Sequence, residues 1–127
     1  MSDAAGQLEY LDVGWNLVRG ESGAHLFNGL DANTSLKYLN ISWNGIDVEA
    51  CGSLGECLKT CVLEDLDLNH CNITGAGALL IADGLKRNTL LRRITLDCNN
   101  LKQSAARALV KASLGMQSKP VLSSCAP

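Results

Sequence analysis

The sequence predicts an α/β solenoid of about four strand–helix units, with the strands in one parallel sheet and the helices behind it. Two observations carry that prediction. One hydrophobic stencil is written four times, as Leu8-Glu-Tyr-Leu11-Asp-Val13-Gly-Trp-Asn16-Leu-Val18, Leu36-Lys-Tyr-Leu39-Asn-Ile41-Ser-Trp-Asn44-Gly-Ile46, Leu63-Glu-Asp-Leu66-Asp-Leu68-Asn-His-Cys71-Asn-Ile73 and Leu91-Arg-Arg-Ile94-Thr-Leu96-Asp-Cys-Asn99-Asn-Leu101. Its first leucines stand 28, 27 and 28 residues apart. After each copy the apolar spacing changes from alternation to a period near 3.6, the change from strand to helix. A unit this short cannot bury its apolar face except against its neighbours, so the units stack.

Within the units, Leu11 and Val13, Leu39 and Ile41, Leu66 and Leu68, and Ile94 and Leu96 alternate and so point to one side of a short strand. The chain then leaves the sheet at Asn16, Asn44, Cys71 and Asn99. Backbone groups lose their ladder partners at that turn, and a buried asparagine can both donate and accept in their place. Stacked copies form a structural asparagine/cysteine ladder, with Cys71 as its expected weakest rung. The helical half begins with small residues, Ser22, Ala50, Gly77 and Ala105, then Gly23, Cys51, Ala78 and Ala106. These let a helix lie close to the sheet. Large aliphatics follow at Leu26, Leu54, Ile81 and Leu109, and again at Leu30, Leu58 and Leu85, with Ser113 out of pattern. Asp47 and Thr74 are the expected N-caps of the second and third helices. Asn33-Thr34-Ser35 and Asn88-Thr89 return the chain to the next strand, and the second unit is a residue shorter near Thr60-Cys61-Val62.

All four segments fit L-x-x-L-x-L-x-x-N/C-x-L and so resemble the leucine-rich repeat. A strand, a loop and a full helix in about 28 residues resemble its ribonuclease-inhibitor type. The phrase Tyr38-Leu-Asn-Ile-Ser-Trp-Asn-Gly-Ile46 is similar to strands of uncharacterised intracellular leucine-rich-repeat-containing proteins and to repeats of NOD-like receptors. The resemblance implies a right-handed solenoid, a partial horseshoe with its parallel sheet on the concave face and its helices on the convex face. Ran GTPase-activating proteins share the repeat type, but no loop residue here maps onto theirs. The chain divides into a short lead at 1–7, a repeat domain at 8–116 with units 8–35, 36–62, 63–90 and 91–116, and a tail at 117–127 expected to be disordered. Neither lead nor tail reads as the polar cap that a solenoid end needs. The expectation is therefore a fragment or short isoform of a longer horseshoe, or an open edge covered by another subunit, with self-association through the uncapped ends.

Formal charge is unevenly spread. Residues 1–67 carry three basic and eleven acidic side chains, and residues 68–127 eight basic and two acidic ones. The first stretch therefore sums to −8 and the second to +6. With a pI near 5.6, nucleic acid is not an expected partner. Met1–Gln7 has neither a basic start nor an apolar stretch, so the expected location is cytoplasmic, with no membrane association. The six cysteines (Cys51, Cys57, Cys61, Cys71, Cys98, Cys125) form no C-x-x-C pair and read as reduced structural thiols. The sequons at Asn33, Asn40 and Asn72 then read as chance matches.

The remaining strand positions project from the concave face and stack from strand to strand at about 4.8 Å. They form four rows: Tyr10, Tyr38, Asp65, Arg93; then Asp12, Asn40, Asp67, Thr95; then Gly14, Ser42, Asn69, Asp97; and Trp15, Trp43, His70, Cys98. Aromatics and acids thus gather at one end of one face, the composition of a protein interface. The expected partner-binding residues are Tyr10, Asp12, Trp15, Tyr38, Asn40, Trp43, Asp65, Asp67, His70, Arg93 and Asp97. A structural reading stays open beside this one: the tryptophans cover the rim of the asparagine turn and the tyrosines pair across strands. Carboxylates spread over an open, solvated sheet lack the dry pocket that shifts a pKa usefully. No enzyme activity, metal site or cofactor is therefore expected. The function read from the sequence is non-catalytic binding of a partner protein. The alternatives are a regulator or inhibitor that occludes an enzyme, and an assembly element that stacks acidic end on basic end.

Overall fold

The computed structural model describes residues 8–15, 20–31 and 35–113. The expected lead at 1–7, the tail at 117–127 and Asn16 of the ladder lie outside these residues. Four strands alternate with four helices: β1 Tyr10–Asp12, α1 Gly20–Asp31, β2 Tyr38–Asn40, α2 Val48–Leu58, β3 Asp65–Asp67, α3 Gly75–Leu85, β4 Arg93–Thr95 and α4 Gln103–Ser113. The strands form one parallel sheet in the order β1-β2-β3-β4. Its register places Leu11, Leu39, Leu66 and Ile94 side by side. Each helix packs on the next helix and each strand on the next strand. This is the α/β solenoid that the repeat predicts.

The core follows the stencil. Leu39, Ile41, Leu66, Leu68, Ile94 and Leu96 on the strand side, and Leu54, Leu58, Ile81, Leu85 and Leu109 on the helix side, are buried. A fully buried leucine or isoleucine side chain contributes about 2 kcal/mol relative to leaving it in water. Phe27 in α1, outside the repeat pattern, is also buried. In the first unit Leu11 and Val13 are only partly buried, because β1 has a strand neighbour on one side alone among the described residues. Ser113, in a leucine's place, is buried too, and its hydroxyl donates to the Val110 carbonyl at 2.7 Å.

Side chains close the helix starts. Asp47 caps α2 by accepting from the Ala50 N–H at 3.0 Å, and Thr74 caps α3 by accepting from the Gly77 N–H at 3.4 Å. The same Asp47 oxygen accepts from Gly20 N–H at 3.1 Å and so ties the start of α1 to that of α2. At the return loop, the buried Asn88 donates to the Leu58 carbonyl at 2.7 Å and accepts from the Leu90 and Leu91 N–H groups at 3.1 and 2.7 Å. It thereby joins the end of α2 to the loop before β4.

The closest helix contact is made by glycine. A Cβ on Gly55 would stand 2.5 Å from the Leu80 carbonyl oxygen, and one on Gly84 2.9 Å from Gly55 Cα. Backbone therefore meets backbone where α2 crosses α3, and neither position has room for a side chain.

Candidate functional site

On the sheet face away from the helices, the first row is set by strand register: Tyr10 pairs with Tyr38, Tyr38 with Asp65, and Asp65 with Arg93. The rings of Tyr10 and Tyr38 are exposed, with centroids 6.4 Å apart and planes tilted by 36°. Asp65 lies between Tyr38 and Arg93, yet no ion pair or hydrogen bond reaches its carboxylate among the described residues.

The second row is largely committed to the backbone. Asp12 Oδ1 accepts from the Gly14 N–H at 2.9 Å, Asn40 Oδ1 from Ser42 at 2.9 Å, and Asp67 Oδ1 from Asn69 at 3.0 Å. These are Asx turns, in which a short polar side chain bonds the main chain two residues on. Thr95 breaks the series. Its hydroxyl donates to Asp67 Oδ1 at 3.2 Å, and the Asp97 N–H is taken instead by Asn69 Oδ1 at 2.7 Å. Asp97 stands one strand beyond Asn69 in that third row, with no further strand among the described residues to supply it a donor. Its Oδ1 is buried without a hydrogen-bond partner. The sequence signal for these turns is Asp or Asn two residues before Gly, Ser or Asn.

The fourth row is the least expected. Trp15, Trp43, His70 and Cys98 all have left-handed backbones, with φ of 63°, 62°, 55° and 60°. Each costs about 1 kcal/mol for a residue with a Cβ. Because every unit shows it, the turn geometry imposes this conformation, not any one side chain. The turn is held by an N–H from each unit to the carbonyl of the next: Trp15 to Ser42 at 3.0 Å, Trp43 to Asn69 at 3.0 Å and His70 to Asp97 at 2.9 Å. The side chains consequently stack. Trp15 and Trp43 have ring centroids 4.4 Å apart, Trp43 and His70 3.8 Å, and each pair is inclined by only 6°. Trp15 remains 74% exposed and Trp43 43%.

Beneath the stack runs the ladder. Asn44 Nδ2 donates to the carbonyls of Ile41 at 2.9 Å and Val13 at 3.1 Å. Asn99 Nδ2 donates to Leu68 at 2.8 Å and Leu96 at 3.1 Å, and its Oδ1 accepts from the N–H groups of Ile73 at 2.9 Å and Cys71 at 3.0 Å. At the cysteine rung the thiol donates to the Ile41 carbonyl at 3.1 Å, and Ile46 N–H bonds the Cys71 carbonyl at 3.0 Å instead of a side chain.

Cys51, Cys57, Cys61 and Cys71 are buried thiols outside any disulfide. Cys98 departs from the expectation of reduced thiols throughout, being disulfide-bonded. Burial, with Asp47 and Cys71 nearby, pushes the Cys51 thiol from 9.0 up to about 12. Burial likewise pushes Cys71 to about 11, although backbone N–H groups of Asn44 and Trp43 act in the opposite direction. Both thiols hold their protons more tightly folded than unfolded. Their contribution is therefore complete below the unfolded value of 9.0 and is lost as pH rises through the folded values of about 11 and 12. Urea unfolding at pH 8, 9.5 and 10.5 should show stability falling by on the order of 1 kcal/mol per thiol per pH unit above 9. The Cys51→Ala/Cys71→Asn variant should show a shallower fall.

Among the described residues no three His, Cys, Asp or Glu side chains are grouped to hold a metal ion, and no helix is long and apolar enough to cross a membrane. The strand–helix repeat, the buried stencil and the asparagine ladder define the class: an α/β leucine-rich-repeat solenoid. Residues 32–55 and 60–82 match the family model described as Leucine Rich repeat. Among solved structures, the chain is similar to "Leiomodin-1 Actin-Binding Site 2 (ABS2)". That match has a TM-score of 0.77 and 19% identity, and covers 91% of this chain and 69% of that one. At this identity the likeness is one of fold.

Proposed function

We propose that this chain is a non-catalytic, cytoplasmic interaction module, of the ribonuclease-inhibitor type of repeat, that binds a partner protein on its concave sheet face. The observation that carries the reading is the Trp15–Trp43–His70 stack with both indoles exposed, in the same two units that expose the rings of Tyr10 and Tyr38. Large aromatics held rigid by neighbours lose little conformational entropy on binding, which is why they serve as interface anchors. The second row supports this face indirectly, because its Asx turns fix the loop from which the tryptophans project. The leiomodin-1 structure, an actin-binding site by its name, is a fold relative with a protein partner.

The test separates binding from stability. Trp43 is best replaced by asparagine, which tolerates the left-handed backbone and removes only the ring. In crosslinked pull-downs from native cells, the Tyr38→Ala/Trp43→Asn variant should capture at least about tenfold less of the partner recovered with the parent chain, as loss of two anchors predicts. Its circular dichroism spectrum should be unchanged. Undiminished capture together with a lowered melting temperature would assign the aromatics to stability alone.

A further inference from the structure

We infer that the partner presents arginine, and that the groove between Tyr10, Tyr38, Asp65 and Asp67 receives the guanidinium groups of an extended basic segment. This rests on the concave-face reading above. The groove, of about 150 Å³, is lined by the two tyrosines, Leu39, Asn40 and the two aspartates. It offers two exposed ring faces and two carboxylates on the same side of the sheet. Asp65 is unpaired among the described residues, and Asp67 has committed only Oδ1, to Asn69 and Thr95.

The charge of this half of the molecule selects a cation. Residues 1–67 sum to −8, a field that draws a basic segment toward the groove. The geometry selects arginine over lysine. A guanidinium is planar, forks onto a carboxylate and stacks on an aromatic face, whereas an ammonium is a compact, strongly hydrated point charge. It also sets a spacing. Asp65 and Asp67 are two residues apart on β3, so their side chains leave one face about 6.6 Å apart. That separation is too wide for both carboxylates to chelate one small cation, but it equals the repeat of alternate side chains on an extended peptide. The matching ligand is therefore an Arg-x-Arg segment lying along the strand. Arg93, next to Asp65 in the same row, is the internal competitor: it makes no ion pair with Asp65 at rest, but its charge opposes an incoming arginine.

The experiment is fluorescence anisotropy with the full chain and two labelled peptides, Gly-Ser-Arg-Ser-Arg-Ser-Gly and its lysine counterpart, at one ionic strength. The arginine peptide should bind about fivefold tighter than the lysine peptide, the scale of cation–π and bidentate gains at partly exposed sites. Tyr38→Ala and Asp65→Asn should each remove most of that preference, and Arg93→Gln should tighten arginine binding by about threefold. Equal affinity for the two peptides, or an arginine preference that survives Asp65→Asn in a folded protein, overturns the inference. If the Tyr38→Ala/Trp43→Asn variant loses its captured partner while the two peptides bind alike, the arginine assignment fails and the concave-face reading stands. If capture survives that variant, the concave-face reading fails and takes this inference with it.

Discussion

Gly84→Ala is expected to lower the unfolding free energy by about 3 kcal/mol, the upper range for overpacking a tight contact. The added methyl would stand 2.9 Å from Gly55 Cα and closer still to the Gly55 carbonyl, so no side-chain rotation relieves it. Helices α2 and α3 must separate, and the buried layer of Leu54, Leu58, Ile81 and Leu85 between them loosens. In a solenoid this contact joins one half of the repeat array to the other. Its loss should therefore broaden the transition as well as shift it. The matched control is Gly29→Ala. A Cβ there meets nothing within 4 Å in α1, so the substitution should stabilise by about 0.5 kcal/mol through the usual helix preference for alanine over glycine. Urea titrations of both variants at neutral pH check the contrast. A Gly84→Ala protein as stable as its parent would show that α2 and α3 do not pack as described.

Asn99→Ala should cost a similar amount, about 3–4 kcal/mol, by a different route. It strands the N–H groups of Cys71 and Ile73 and the carbonyls of Leu68 and Leu96, and each part-buried group left without a partner costs about 1 kcal/mol or more. Cys71→Asn is the converse. An asparagine there has the donors to reach the Ile41 carbonyl now held by the thiol, plus the strong acceptor that sulfur lacks. The expected gain is about 1 kcal/mol, read as a higher urea midpoint with an unchanged slope. If Cys71→Asn destabilises instead, the cysteine rung is tuned to packing and not to a hydrogen bond it lacks.

Most of the backbone plan was legible in the sequence because its determinants are local. Alternation marked Leu39 and Ile41, or Leu66 and Leu68, as the inward pair of a strand, and the change of period marked where each helix follows. The caps Asp47 and Thr74 were readable because an N-cap acts within one turn. The rows across the sheet were also legible, since a fixed period sets Tyr10 beside Tyr38 and Trp15 beside Trp43 once the strands are taken as parallel. What each row does was not. Asp12, Asn40 and Asp67 line up as a row of acids and amide, and each also gives one oxygen to its own turn. That choice depends on where a backbone N–H points, which composition does not reveal. The joint of Gly55 and Gly84 is hidden in the sequence for the same reason. Two glycines 29 positions apart in the sequence become a contact only through the pitch at which one helix crosses the next.

By itself the sequence determined that the chain stacks as repeats, which stencil positions form most of the core, and where the asparagine ladder runs. These follow from hydrophobic periodicity and from the need to satisfy a buried turn, and both are written within a single unit. Tertiary structure alone decided that the fourth-row residues adopt left-handed backbones within the turn, that two indoles and an imidazole lie flat on one another, and that Asp65 keeps its carboxylate unpaired beside two tyrosines. Those are relations between units. They depend on register, on φ at the fourth-row residues and on the spacing of neighbouring strands, quantities set only when separate copies of the stencil pack together.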